Sequence, residues 1–405
     1  MGSTSGFEPA RHQAAGHDGC LVFGEDEMIF AKVTNQQEVE FYNETQKRSM
    51  EEAGAADAAL GSRLSEWMPV YLGTLEQNGF KEHDANSMVM PALKEDQAAL
   101  RRQLEEGFSR LSVGNGSSDA QGHSGGRPYI VLQNLCSGFS RPSIMDVKLG
   151  SLLHDESADA SKVQRLKMVS ASTTSGSLGF RICGIKHHVE DADHTPQVIS
   201  DDLKDTYTIT SATSKGSAVV YDKNFGKGLT KQNVSRGLMV IFDTLPSKSI
   251  RRKVLNNFLM RLQLIYNCLL DAEVRIISGS LLFIVEGDHE RWRPVLENED
   301  LYESMDPLIR EDFFDDDDDD DKDDEDGDDT KNFGTFSSSK IDDKIAESTD
   351  EVSDSRKLGN QPPLSSLNLI DFAHSKYVVG EGYDENIIEG VENLIAIFEE
   401  ALQDL

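Results

Sequence analysis

Four short stretches carry residue types that do chemistry together. In Pro142–Gly150 (P-S-I-M-D-V-K-L-G), Asp146 and Lys148 stand two positions apart. Along an extended segment, side chains at i and i+2 leave on the same side, so a carboxylate and an ammonium would face one space. Beside a reacting hydroxyl, the carboxylate would orient it or accept its proton. The ammonium would hold an anionic group or a phosphoryl in transit. In Leu369–Ser375 (L-I-D-F-A-H-S), Asp371 follows a short apolar run, with His374 three residues on. A carboxylate at a strand's end suits Mg2+, a hard cation that takes one or two carboxylates plus phosphate oxygens. In Met28–Val33 (M-I-F-A-K-V), Lys32 lies on an apolar strand just after the Gly-rich stretch Ala14–Gly24. From such a strand a lysine grips nucleotide phosphates beneath a sheet. In Lys162–Lys167 (K-V-Q-R-L-K), Lys162 and Arg165 share a helical face, and Lys167 adds a third cation. Together they would cradle several phosphates on one small molecule.

Each stretch has a plainer reading when taken alone. Asp146 and Lys148 would make an ordinary surface ion pair, and Asp371 would cap its own turn. His374 would be a hydrogen-bonded core or rim histidine. Lys32 would be an edge-strand lysine whose stem lies on apolar surface, and the basic stretch a solvated helix face. What separates the two readings is their joint occurrence in one order: strand lysine, hinge-like strand, Asp-x-Lys, basic helix, metal Asp. There is neither a G-x-x-x-x-G-K-[ST] run nor a G-x-G-x-x-G loop, which counts against P-loop proteins and protein kinases alike.

The elements that must position these groups are legible from periodicity. Tyr129–Leu135, Phe180–Lys186, Gly279–Glu286 and Asn368–Phe372 have the apolar, β-branched content of buried strands. Leu281–Val285 and Leu238–Phe242 are both strand-sized apolar runs. Ile250, Val254, Leu255, Phe258, Leu259, Leu262, Ile265, Tyr266 and Leu269 recur every three or four residues, which predicts a long amphipathic helix. Asp384 is placed to cap a helix carrying Ile387, Ile388, Val391, Leu394, Ile395 and Phe398. Strands first and a mixture later predict an α+β fold in two lobes. Residues 1–135 would form an N-lobe ending in a hinge, and 136–405 a C-lobe. Polar insertions are expected at about 105–127 and 190–217, and a disordered acidic one at about 311–363.

Charge narrows the function classes. The 405 residues hold 40 Lys+Arg against 72 Asp+Glu, a net −32. Glu311–Asp329 alone holds 15 acidic residues and one lysine, Lys322. So dense a run repels itself and buries nothing. It reads as a solvated loop or as an acidic arm for a basic partner. A body this negative is not expected to bind nucleic acid directly. No apolar run approaches the roughly 18 residues that a membrane span needs, and the N-terminus has no secretory pattern. Cys20, Cys136, Cys183 and Cys268 are far apart, as in reduced thiols rather than a zinc or redox motif.

Read as a set, the motifs identify the chain as resembling the inositol polyphosphate kinase family. P-S-I-M-D-V-K-L-G matches its Pro-x-x-x-Asp-x-Lys-x-Gly signature. S-L-L-F at Ser280–Phe283 and I-D-F-A-H-S at Ile370–Ser375 match its other two, the last being similar to the Asp-Phe-Gly element of protein kinases. A-A-G-H-D-G (Ala14–Gly19), W-M-P (Trp67–Pro69), T-T-S-G-S-L-G-F-R-I-C-G (Thr173–Gly184), G-Y-D-E-N (Gly382–Asn386) and the polyaspartate insert resemble the fungal multikinases of that family.

The resemblance implies a two-lobed, protein-kinase-like (ATP-grasp-like) fold, with a small antiparallel-sheet N-lobe and a larger mixed C-lobe. It implies an inositol-binding segment at about 151–178. It also implies ATP and Mg2+ as cofactors, and phosphorylation of inositol 1,4,5-trisphosphate to the tetrakis- and pentakisphosphate. By position, Lys32 resembles the phosphate-gripping lysine, and Gln133 and Leu135 the hinge that meets adenine. Asp146 resembles an aspartate that contacts ribose in some members and is catalytic in others. Lys148 resembles the lysine at the acceptor hydroxyl, and Asp371 the metal ligand. Lys162, Arg165, Lys167 and His374 resemble substrate contacts. Gln133 stands where the family often has Glu, and Gly279 replaces the first of a serine pair. The fungal relatives are also tied to transcription regulators, so a nuclear as well as cytoplasmic location, with such partners held by the acidic tract, is a second expectation. A monomer is expected.

Overall fold

Two six-stranded antiparallel sheets, one from each half of the chain, face each other across the segment that joins them. The computed structural model describes residues 7–10, 19–24, 27–52, 59–76, 79–82, 128–189, 199–211, 217–309 and 363–405. The expected insertions at 105–127 and 311–362, and most of the glycine-rich stretch before Gly19, lie outside the described residues.

The first sheet runs β1 (Glu8–Pro9), β2 (Leu21–Phe23), β3 (Ile29–Val33), β6 (Tyr129–Gln133), β4 (Tyr71–Glu76), β5 (Gly79–Glu82). Ala31 and Val131 pair across β3 and β6 with no exposure and join Phe7, Phe23, Ile29, Leu72 and Leu75 in a small core. Helix α1 (Gln36–Glu52) follows β3 directly and packs Phe41 and Tyr42 toward the second half of the chain.

The second sheet runs β13 (Ser365–Ile370), β12 (Ser280–Glu286), β7 (Pro142–Leu149), β8 (Phe180–Val189), β10 (Ser217–Tyr221), β9 (Tyr207–Ser211). A short pair, β11 (Val274–Ile276) and β14 (Ser375–Tyr377), closes one corner. The helices of this half are α2 (Ala160–Ala171), α3 (Thr174–Leu178), α4 (Lys223–Gly228), α5 (Val234–Met239), α6 (Lys248–Asp271), α7 (Arg293–Glu297), α8 (Tyr302–Met305) and α9 (Glu385–Gln403). The α6 helix starts where the Ser247 hydroxyl accepts from the Ile250 amide at 3.1 Å, a cap worth about 1 kcal/mol. It buries the stripe that its spacing predicts, from Ile250 to Leu269. Asp384 caps α9, whose Phe398 meets Phe242, Phe258 and Phe283 in the C-lobe core.

Two stretches take a form that the sequence did not announce. The strand-sized run Leu238–Phe242 is helical: it finishes α5 and continues as a 3-10 turn. All five residues are buried, and a short apolar run buried on every side reads alike as strand or helix. Within 190–217, described from Ile199 to Ser211, the chain is not merely an insertion. It forms a 3-10 turn and then β9, paired along its length with β10. Ile209 of β9 is 44 % exposed, so this edge strand lacks the apolar burial that would have announced it.

The α6 stripe also hides an arginine. Arg261 is buried and bonds Asp306, the Ser365 hydroxyl and the Leu308 carbonyl. Asp306 in turn accepts from the Ser365 amide at 2.7 Å. This buried polar knot fixes where β13 begins, and therefore where Asp371 emerges at its other end.

Candidate active site

Register places the candidate groups on one face. Across β7, β12 and β13, Asp146 opposes Leu282, which opposes Asn368; Lys148 opposes Ser280, which opposes Ile370. Directly opposed residues share a sheet face. The alternate residues Val147, Leu281 and Leu369 point into the core with no exposure. The face toward the first sheet is thus a row of Asp146, Lys148, Ser280, Leu282, Asn368 and Ile370, with Asp371 at its edge.

Asp371 turns off this edge with φ +68, a left-handed conformation that non-glycine residues seldom adopt. The following loop is pinned to α1. Phe372 is fully buried, stacked 5.0 Å from Phe41 and edge-on to Tyr42. Its amide donates to Glu38 at 3.1 Å, and the Asn35 side chain donates to the Ala373 carbonyl at 2.8 Å. So held, Asp371 Oδ1 lies 2.6 Å from Lys32 Nζ, across 339 residues of sequence. Lys32 Nζ is also 3.0 Å from Glu38 Oε1. Burial alone would discharge this lysine, but the Asp371 and Glu38 carboxylates outweigh it and hold its pKa above the ordinary lysine value.

Glu38 is the residue that sequence reading missed. Asn35 caps α1, accepting from the Glu38 amide at 2.8 Å. An Asn followed three residues later by Glu reads as a capping box, and that was the available signal. The carboxylate does more: it takes Thr34 Oγ1 at 2.6 Å and spans to Lys32 and Phe372. It is 1 % exposed, so these bonds replace its water.

Asp146 is buried on the central strand, with Oδ1 lacking a hydrogen-bond partner. Burial, then the nearby Asp371 charge, push its pKa up to about 6, against the pull of Lys148. Lys148 donates to the Ser278 carbonyl at 2.7 Å. Arg181 of β8, which opposes Lys148 in register, adds a buried cation that the motif reading passed over. Gly150 has φ +88, and a Cβ there would strike the Asn386 side chain. The close approach that this glycine permits is therefore one by the protein: Asn386 Oδ1 accepts from the Ser151 and Leu152 amides at 2.9 and 2.8 Å.

The chain matches the inositol polyphosphate kinase family over residues 129–399. It is 38 % identical over 400 residues to the inositol polyphosphate multikinase of Saccharomyces cerevisiae, covering 98 % of this chain and 99 % of that one. The chain belongs to the inositol polyphosphate kinase family. The Schizosaccharomyces pombe multikinase is 33 % identical over 157 residues, 39 % of this chain and half of that one. Among solved structures, the S. cerevisiae inositol phosphate multikinase Ipk2 in complex with ADP and Mn2+ matches with a TM-score of 0.57 at 32 % identity. That match covers 93 % of this chain and 99 % of the other. The fold is that family's two-lobed α+β fold.

A kinase of this family uses ATP and a divalent cation, and the donor set can be tested against that need. Among the described residues no three His, Cys, Asp or Glu side chains gather as a metal cage. Mg2+ does not need one, because it binds through one or two carboxylates and the substrate's own phosphates. The Asp371 carboxylate at the cleft edge and the unpartnered Asp146 Oδ1 supply that number.

The hinge is held through Asn134, whose amide donates to Met28 O at 2.7 Å and whose side chain donates to Glu27 O at 2.6 Å. The Gln133 amide donates to Val70 O at 2.8 Å. Gln133 and Leu135 both line a cavity of about 510 Å3 that includes Tyr42, Gln46 and Met68 of the α1 side. Leu135 also packs with Phe139 and Ile284, against Leu282 and Ile370 of the cleft face.

The substrate candidates are placed differently. Lys162, Arg165 and Lys167 all lie on α2, which the Asp159 side chain caps and which has no buried residue. Lys162 is half-buried, Arg165 and Lys167 exposed, and none has an ion-pair partner among the described residues. Lys162 and Arg165 lie three apart on one face. Lys167 is five residues from Lys162, about 140° around the helix, so it shares that face with neither. His374 meets the segment that leads into α2: its Nδ1 lies 2.6 Å from Asp155 Oδ2.

Proposed function

We propose that this chain is an ATP-dependent inositol polyphosphate multikinase that carries inositol 1,4,5-trisphosphate through the tetrakisphosphate to the pentakisphosphate by direct in-line transfer. The observation that carries the reading is the Lys32–Asp371 contact of 2.6 Å, with Glu38 behind it and Asp146 and Lys148 on the adjoining sheet face. ATP lies between the two sheets, its adenine at Gln133–Leu135. Asp371 and Asp146 would hold Mg2+, which would supply positive charge to neutralise the nucleotide phosphates.

The chain's own residues do the rest. Lys32 offsets charge on the phosphates from a position already fixed by two carboxylates, so no rearrangement is needed as charge develops. Lys148 holds the acceptor end, and Asp146 orients the hydroxyl or accepts its proton. The acceptor oxygen bonds to the γ-phosphorus as the bond to the bridging oxygen breaks. Lys162, Arg165 and His374 hold the other phosphates and aim one hydroxyl, and Lys167 contributes long-range charge. Orientation of this kind lowers a barrier by on the order of 7–11 kcal/mol. The test is incubation with ATP, Mg2+ and inositol 1,4,5-trisphosphate, with chromatography of the products. Sequential tetrakis- and pentakisphosphate peaks are expected, and a substrate peak left unconverted would reject the reading.

The acidic tract supports an additional role: tethering basic regulators of transcription in the nucleus while catalysis continues in both compartments. Deleting Asp315–Asp329 should leave turnover unchanged and abolish capture of a basic partner. Intact capture would remove the tract from that role.

A further inference from the structure

A carboxylate near a pocket for a polyanion is a liability, because like charges repel and the cost grows as water is excluded. Asp155 is such a carboxylate. It lies four residues before the cap of the basic helix α2 and lines a cavity of about 370 Å3 with His374, Lys376 and Arg275. Its side chain is 15 % exposed, and its negative charge is committed at both oxygens. Oδ1 accepts from the amide and the hydroxyl of Ser157, at 3.0 and 2.7 Å. Oδ2 meets His374 Nδ1 at 2.6 Å. Since a carboxylate only accepts, Nδ1 must carry the proton, which leaves Nε2 as the imidazole's working atom. The backbone on either side is tied down as well. Ser278 Oγ bonds the Leu153 carbonyl at 3.1 Å, and the Asn35 side chain bonds Ala373 at 2.8 Å.

We propose that Asp155 is a positioning residue for the inositol phosphate. It fixes the tautomer and direction of His374, and it joins the segment that leads into the basic helix to the loop that carries Asp371. A third group that orients a histidine in this way is a recurring device in catalytic and metal sites. The inference rests on the inositol phosphate kinase reading, and it makes a prediction opposite in sign to simple electrostatics. If Asp155 acted only through its charge, removing it would tighten binding of a polyanion. If it positions His374, removing it weakens binding.

The experiment compares Asp155→Ala, Asp155→Asn, His374→Ala and the Asp155→Ala/His374→Ala double variant, with KM measured separately for inositol 1,4,5-trisphosphate and ATP. The expected result is a five- to tenfold rise in KM for the inositol phosphate in Asp155→Ala, on the scale of a lost orienting partner, roughly 10-fold. KM for ATP stays within about twofold, and Asp155→Asn, which keeps an acceptor for Nδ1–H, recovers most of the loss. In the His374→Ala background the Asp155 effect disappears, as coupled residues require. An unchanged or lowered KM in Asp155→Ala, or an equal effect with and without His374, overturns the proposal. Ring 15N shifts of His374 give a readout independent of turnover: Nδ1–H in the wild type, and loss of that preference in Asp155→Ala. A wild type that transfers no phosphate would reject the kinase reading, while the shifts would still decide the Asp155–His374 pairing.

Discussion

The two ends of the proposed site, one assigned to the nucleotide and one to the acceptor, are built on opposite plans. At one end, Lys32 and Glu38 come from a strand and the helix that follows it, and Asp371 from a loop more than 300 residues further along the chain. They are locked by ion pairs of 2.6 and 3.0 Å around a buried glutamate. At the other, Lys162, Arg165 and Lys167 stand on a helix with no buried residue and no ion-pair partner among the described residues. The difference follows from what each end must do. Charge that develops during transfer is best met by dipoles and ions that need not move. A polyanion arriving from water is best met by cations whose solvation it replaces, because pairs made only on binding contribute to affinity. The acidic body does not oppose this, since exposed charges beyond about 10 Å are screened at moderate salt.

The contrast orders the consequences of substitution. Asp371→Asn should be the most severe: it removes both the metal-facing charge and the Lys32 partner. Turnover should fall by on the order of 10²–10³ or more with an unchanged circular dichroism spectrum, and Lys148→Ala should match it. Wild-type turnover in either variant would undo the assignment. Glu38→Gln comes next. It keeps one carbonyl acceptor, for the Phe372 amide, puts an amide donor in place of the oxygen that meets the Thr34 hydroxyl, and leaves Lys32 with one counter-charge. A fall of roughly tenfold or more in kcat/KM for ATP, from a charged hydrogen bond worth about 1.5–3 kcal/mol, would show that the preorganised end depends on its hidden member. An ATP dependence like that of the wild type would reduce Glu38 to a helix cap.

Lys162→Ala and Arg165→Ala test the solvated end. Each should raise KM for the inositol phosphate by about tenfold at low salt, and less as salt rises, as screening of accessible charges requires. KM for ATP should not move. Lys167→Ala should do least, under about twofold, because of its place about 140° around α2 from Lys162. Equal effects at 162, 165 and 167 would show that α2 acts as a diffuse positive field and not as a face. Loss of the ATP dependence in any of these three would erase the division between the ends.

Some of this architecture was legible in advance and some was not. The α6 stripe and the Asp384 cap could be read because burial on one face of a helix repeats every three or four residues. The same reading assigns nothing to Leu238–Phe242, where burial on every side removes periodicity. It overlooked β9, whose outer residues are exposed. Arg261, and the part Glu38 plays beyond its capping box, were illegible for a shared reason: a buried charge looks like a surface charge until its partners are known. Asp306, Ser365, Lys32 and Phe372 lie 334 residues or fewer from those partners, but never adjacent to them.

What the residue order alone determined is the chemical inventory: Asp146 beside Lys148, Asp371 after an apolar strand, a lysine on β3, and cations grouped in one helix. Local spacing sets these, because strand and helix geometry follow from neighbours a few positions away. What only the tertiary structure decided is which charges are spent. Lys32 is divided between Glu38 and Asp371, Asp155 is committed to His374, and the α2 cations are left open. The Lys32–Asp371 and Asp155–His374 pairings join residues remote in sequence, and they are fixed by sheet register and by the burial of Phe372 and Arg261, neither of which any local pattern encodes.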